Sequence, residues 1–168
     1  MLGGDLDPVR VVQVGLIGGR VDVVAQDGPA ARVEVTAVHG RHLEVVWADG
    51  VLAVRHPHVR WDGLLDALKG LARGEDSADL RIVVPRGAAV RISTVSADGL
   101  LSGLRAPATV RTISGTMVVD DVTGDLAART VSGRVEIRSL SGSLTGESVS
   151  GSLSVQATSL SELDAKTV

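Results

Sequence analysis

Cysteine, phenylalanine and tyrosine are absent from this chain, and tryptophan occurs only twice in 168 residues. Without cysteine there are no disulfides, no thiolate nucleophile and no cysteine metal site, which fits a reducing compartment. The scarcity of aromatic rings excludes a thick sandwich or barrel core, because such cores depend on the large area that each ring buries. Val, Leu, Ile and Ala are left to fill the interior, and they suit a narrow one packed in thin layers. No continuous apolar run approaches the roughly 18 residues that span a bilayer. Met1 leads into Leu2-Gly3-Gly4-Asp5 with no basic stretch before an apolar one, so no secretory signal is recognisable and a cytoplasmic location is expected. A surplus of positive charge is missing too. The formal net charge is −3, with interspersed signs, which argues against nucleic acid as a partner.

What the chain does have is a repeat. From Thr94 it can be cut every nine residues into TVSADGLLS, GLRAPATVR, TISGTMVVD, DVTGDLAAR, TVSGRVEIR, SLSGSLTGE, SVSGSLSVQ and a degraded ATSLSELDA. Alternate units agree best, so the structural period is eighteen residues: Thr94, Thr112, Thr130 and Ser148 recur at one position. Val95, Ile113, Val131 and Val149 follow them, and then Ser96, Ser114, Ser132 and Ser150. Self-similarity at so short a period predicts an all-β fold, a single-stranded β-solenoid in which each coil is buried by its neighbours. Alternation such as Arg134-Val135-Glu136-Ile137 places the valines on one face of a strand, and Ser-Gly supplies the corner. A coil of about 18 residues then holds two strands and two corners.

One domain is expected over residues 1–168, with irregular coils over 1–92 and regular units over 93–168. Gly19-Arg20-Val21-Asp22-Val23 matches Gly133-Arg134-Val135-Glu136-Ile137 in pattern at every position. Further strands are predicted at Arg32–Val38, His42–Val46, Val51–Arg55, Leu80–Val84 and Val90–Val95, separated by turns such as Asp27-Gly28-Pro29 and Asp49-Gly50. Only residues 61–73 change period. There Trp61, Leu64, Leu65, Leu68 and Leu71 fall at helical spacing, which predicts a short amphipathic helix that either caps the solenoid edge or docks a partner. Thr167-Val168 reads as the opening of another unit, so the natural protein is expected to continue past it.

The Thr-Val-Ser-Gly-x-Val units, the Arg20-Val21-Asp22-Val23-Val24 run and the Trp61-Asp62-Gly63-Leu64-Leu65 segment resemble a bacterial family of β-strand repeat proteins of unknown function, the putative-adhesin family, in its signal-less actinobacterial form. The resemblance implies a β-solenoid with no assigned catalytic residues and no cofactor. It supplies no site residues to carry over.

Chemistry-bearing motifs are few. His39, His42, His56 and His58 come in two pairs without the converging third and fourth ligands that a metal needs, and read as surface histidines. Gly146-Glu147-Ser148-Val149-Ser150-Gly151 misses the spacing of a nucleophile elbow, and no histidine lies between Thr94 and Val168 to act as its base. Asp120 and Asp121 are adjacent and would face opposite sides of a strand, so they fit a corner. Phosphate-binding glycine loops are missing. The two stacked rows of hydroxyls, Thr112-x-Ser114, Thr130-x-Ser132 and Ser148-x-Ser150, suggest, as a remote idea, the flat threonine arrays of ice-binding solenoids, although the second row lies in the Ser-Gly corner. The sequence therefore predicts no catalytic, cofactor or metal site. It predicts a non-enzymatic scaffold or protein-interaction module, working through its edges or ends on a protein partner or on itself. The alternative is a filament-forming β-helix similar in principle to bactofilins, and carbohydrate binding or cleavage ranks third.

Overall fold

The computed structural model describes residues 9–56, 76–156 and 159–167. Fourteen strands join in one sheet, and no helix occurs among the described residues. In chain order they are β1 (Val11–Leu16), β2 (Gly18–Gln26), β3 (Arg32–His39), β4 (Glu44–Ala48), β5 (Val51–Arg55), β6 (Ser77–Pro85) and β7 (Ala89–Thr94). The rest are β8 (Asp98–Ser102), β9 (Ala108–Thr112), β10 (Thr116–Thr123), β11 (Leu126–Thr130), β12 (Arg134–Ser148), β13 (Ser152–Gln156) and β14 (Ser159–Thr167). The helix predicted over 61–73 lies outside the described residues, as does His58.

The strands form two parallel ladders. One contains β1, β5, β7, β9, β11, the end of β12 and β14; the other contains β2, β6, β8, β10, the start of β12 and β13. β12 belongs to both, turning between them through Ser139 (φ 53°) and Gly142 (φ 137°). From β7 onward the offset is eighteen residues: Val90 pairs with Ala108, Ala108 with Leu126 and Leu126 with Leu144. In the second ladder Gly99, Met117, Val135 and Leu153 follow one another at the same interval. The period read from the sequence is thus the hydrogen-bonding register, because parallel pairing at a constant offset stacks like residues on like.

Alternation sends every second residue inward. Ile92, Leu101, Val119, Val135 and Ile137 are fully buried, and with their neighbours they make one continuous aliphatic core. Two glycines inside it are occupied by neighbouring side chains. The end of Met117 lies over Gly99, where a Cβ would come within 2.6 Å of its sulfur, and Leu153 lies over Gly146.

The corners after β7, β9, β11 and β12 are built from Thr/Ser-Val/Ile-Ser, followed by Gly in all but the first. Thr94, Thr112, Thr130 and Ser148 point inward and are buried, while each following serine bonds the previous layer. The Ser114 hydroxyl donates to the Val95 carbonyl at 3.2 Å, Ser132 to Ile113 at 3.1 Å and Ser150 to Val131 at 3.1 Å. Glycine then allows the backbones to touch. A Cβ on Gly133 would collide with the Gly115 carbonyl oxygen, and one on Gly151 with that of Gly133.

The N-terminal half departs from the expected scheme in two ways. First, β1 and β2 are not at the end of the stack: β1 lies between β5 and β7, and β2 between β6 and β8. Second, β3 and β4 run antiparallel, on β6 and β5 respectively. Asp49 and Gly50 both have positive φ, 53° and 77°, the conformation of a two-residue hairpin, which forces β4 back along β5. These antiparallel strands end the two ladders, β3 beyond β6 and β4 beyond β5. The match of Gly19–Val23 to Gly133–Ile137 does hold in space, since Val21, Gly99, Met117 and Val135 occupy one column.

Candidate functional site: a strand edge, a corner and an arginine face

At the sheet's other edge, β13 and β14 each pair only with β12 among the described residues. Here the inward columns run out of cover. Val155 stacks on Ile137 and Leu163 on Leu144, yet Val155 is 37% and Leu163 56% exposed, against 0% and 1% for the residues beneath them. The far edge is apolar as well, with Val35, Val38 and Val46 exposed on β3 and β4. An edge strand presents unpaired N–H and C=O groups and is a template for a further strand. The five residues assigned to an interaction helix, Trp61, Leu64, Leu65, Leu68 and Leu71, lie outside the described residues.

The histidines separate. His39 and His42 are exposed, but His56 is fully buried, which corrects the surface reading. Its Nδ1 accepts the Ile17 N–H at 3.0 Å, and its backbone N–H donates to the Gly15 carbonyl at 2.8 Å. Burial lowers its pKa from 6.5, with the Asp76 carboxylate pulling weakly the other way. Asp76 is buried too; it accepts the Arg41 N–H at 2.9 Å, and its backbone carbonyl accepts the Gly18 N–H at 3.1 Å. This corner joins the β1–β2 bend to the start of β6 and the segment before β4. It is a structural device, with the imidazole acting as a neutral acceptor.

The hydroxyl row is also structural. Thr112 Oγ1 accepts the Gly115 N–H at 3.0 Å and the Thr94 hydroxyl at 3.1 Å, and the Ser148 hydroxyl donates to Gly151 at 2.8 Å. The first row is buried and the hydroxyls of the second, Ser114, Ser132 and Ser150, donate to backbone carbonyls, so neither forms the free, flat array that ice binding needs. Thr130 Oγ1 is buried and has no partner in this row. Asp121 sits in a corner at φ 52°, its carboxylate 3.0 Å from Arg105, as adjacency to Asp120 suggested.

On the outer face of the first ladder lies a group that motif reasoning passed over. Register places Arg111 directly on Arg129, and Arg129 on Glu147, with which it makes a 3.0 Å ion pair. Arg91 is on the next strand, beside Thr109. Burial, then Arg129, then Arg91 lower the pKa of Arg111, so the three guanidiniums feel one another. The signal was present in the sequence as arginines closing alternate nine-residue units, at Arg111 and Arg129.

No protein family and no curated protein matches this chain in sequence. Among solved structures, a putative cell adhesion protein from Clostridium sporogenes is similar over 97% of this chain and 96% of its own, with 8% identity and a TM-score of 0.42. A likeness at that distance assigns neither a family nor a function, and the putative-adhesin family in its actinobacterial form gains no support from sequence.

Proposed function

We propose that the chain is a two-sided β-solenoid with eighteen residues per coil, serving as a non-enzymatic scaffold that associates with a second copy of itself through the β13–β14 edge. The constant register of the ladders supports the architecture. The observation that carries the association is the pair Val155 and Leu163: core positions in every preceding coil, exposed in the last described one. Covering them removes apolar surface from water and pairs an open edge at once. Sedimentation velocity over a hundredfold concentration range tests this. Association that strengthens with concentration and is abolished by Val155→Lys with Leu163→Lys is expected; a wild-type monomer throughout would contradict it.

A filament is the second reading, favoured by the other apolar edge at Val35, Val38 and Val46. Two different sticky edges allow head-to-tail growth that does not close. Fibres in electron micrographs, lost on Val46→Lys but retained as dimers, distinguish it from association through one edge.

A further inference from the structure

β14 is the end strand of the first ladder, and its charges fall in a definite order. Its pairing with β12 sets Leu163 on Leu144, Ala165 on Gly146 and Thr167 on Ser148, all three in the inward columns. Glu162, Asp164 and Lys166, set on Ser143, Thr145 and Glu147, therefore follow one another on the outer face, and all three are exposed. Charged side chains on an edge strand ordinarily blunt it against further pairing. Their order decides whether they do so here.

A second copy that meets this edge across a two-fold axis brings β14 antiparallel to β14, and the surface it uses must complement itself. Inward residues then lie opposite inward ones and outward opposite outward, so the possible alignments differ in which charges face each other. Centred on Glu162 or on Lys166, the strands set one charge against its own copy. Centred on Leu163, they oppose Glu162 to Asp164 on both sides of the axis. Centred on Asp164, they match Glu162 with Lys166 but place Asp164 against itself. Centred on Ala165, they oppose Asp164 to Lys166 on both sides and leave no like pair among the described residues. Opposite charges across a strand pair stabilise it and like charges destabilise it. The same alignment puts Leu163 beside Thr167 in the inward columns, where Leu163 otherwise stands open to water.

Given the self-association through the β13–β14 edge proposed above, on which this rests, we infer that the second copy docks on β14 across a two-fold axis at Ala165. Asp164 of each chain faces its partner's Lys166. The charges that would blunt the edge toward other strands then select a second copy of this chain.

Sedimentation equilibrium of wild type, Asp164→Lys, Lys166→Asp and the double exchange tests the alignment. Each single change turns two symmetric attractions into repulsions and should weaken association about tenfold. The double exchange rebuilds both pairs and should return the dissociation constant to within about threefold of wild type. An axis at Leu163 would instead make Asp164→Lys associate more tightly, and an axis at Asp164 would leave the double exchange as weak as Lys166→Asp; either result overturns the inference. The absence of cysteine adds an independent reading. Residues directly opposite in antiparallel strands have Cα atoms about 4.5–5.5 Å apart, within reach of a disulfide. Ala165→Cys should therefore oxidise to a covalent dimer and Ser161→Cys should not; equal yields would refute the axis. A wild type that stays monomeric removes the self-association and this geometry together. Association abolished by Val155→Lys with Leu163→Lys, yet indifferent to the charge exchange, removes the geometry alone.

Discussion

Replacing Gly133 by alanine probes the contact on which the eighteen-residue register depends. Gly133 sits where two layers cross, and an added Cβ would meet the Gly115 carbonyl oxygen, with the Ser114 carbonyl carbon at 3.0 Å and the Gly115 nitrogen at 3.2 Å. All three are backbone atoms, so no side chain can swing aside. To make room the corner must lift, and three bonds to the preceding layer lie in its path: Ser132 N–H to Ile113 at 2.7 Å, Gly133 N–H to Ile113 at 2.9 Å and Arg134 N–H to Gly115 at 3.1 Å. Overpacking of this kind costs about 1–3 kcal/mol, and each weakened bond contributes up to about 1 kcal/mol more. A loss of about 2–4 kcal/mol follows, which lowers the midpoint of a chain this size by about 5–15 °C. Gly87→Ala is the control, since its Cβ would enter open space at a φ that alanine accepts. It should be neutral or slightly stabilising. Urea denaturation and calorimetry of both variants give the comparison; equal stabilities within about 0.5 kcal/mol, the usual scatter of surface changes, would refute the close-contact argument.

The hydroxyl row makes a crossed prediction. Thr112→Val should lose about 1–2 kcal/mol with its bonds to Gly115 and Thr94, whereas Thr130→Val removes a buried hydroxyl that has no partner and should be neutral or stabilising; equal urea midpoints for the two would show that the row acts otherwise. His56 predicts a pH dependence. Its folded pKa is lowered from 6.5 chiefly by burial, so below about pH 6.5 the unfolded chain takes up a proton that the folded one refuses. Stability then falls as pH drops from 6.5 toward the depressed folded value, by at most about 1.4 kcal/mol per pH unit. His56→Asn, whose side-chain oxygen can still accept the Ile17 N–H, should flatten the stability profile between about pH 7 and 5.5; an unchanged slope would assign it to other groups.

The regular half of the molecule was legible because one eighteen-residue interval sets its hydrogen bonds, its core columns and its corners alike. Thr-Val-Ser-Gly could be read as a corner from turn chemistry, although only coordinates reveal that the threonine points in and the serine back to the previous layer. The N-terminal half was legible as strands but not as a path. Alternation in Arg32–His39 looks the same whether a strand pairs parallel or antiparallel, and the Asp49-Gly50 hairpin signal was read only as a turn. Insertion of β1 and β2 between β5–β6 and β7–β8 leaves no trace in local pattern, since it is set by contacts 40, 59 and 78 residues apart in sequence. His56 defeated the surface reading for the same reason: a histidine just past Val51–Arg55 shows nothing of the Ile17 N–H that it accepts. Of the candidate sites, the arginine column was visible as a recurrence of residue type, but its stacking of Arg111 on Arg129 and Arg129 on Glu147 follows only from the strand register.

Deleting one whole period tests the architecture most directly. Removal of Thr116–Gly133 takes out the eighteen residues that separate Met117 from Val135 and joins Gly115 to Arg134, so that β8 meets the start of β12 in the register that β10 now holds. Removal of Thr116–Gly124 takes out half a period, and sends second-ladder residues into the first. The solenoid account predicts that the longer deletion keeps a cooperative thermal transition and a β-type circular dichroism spectrum, with reduced stability, while the shorter one loses both. A half-period deletion that folds as well as the full one, or a full-period deletion that unfolds, would contradict it.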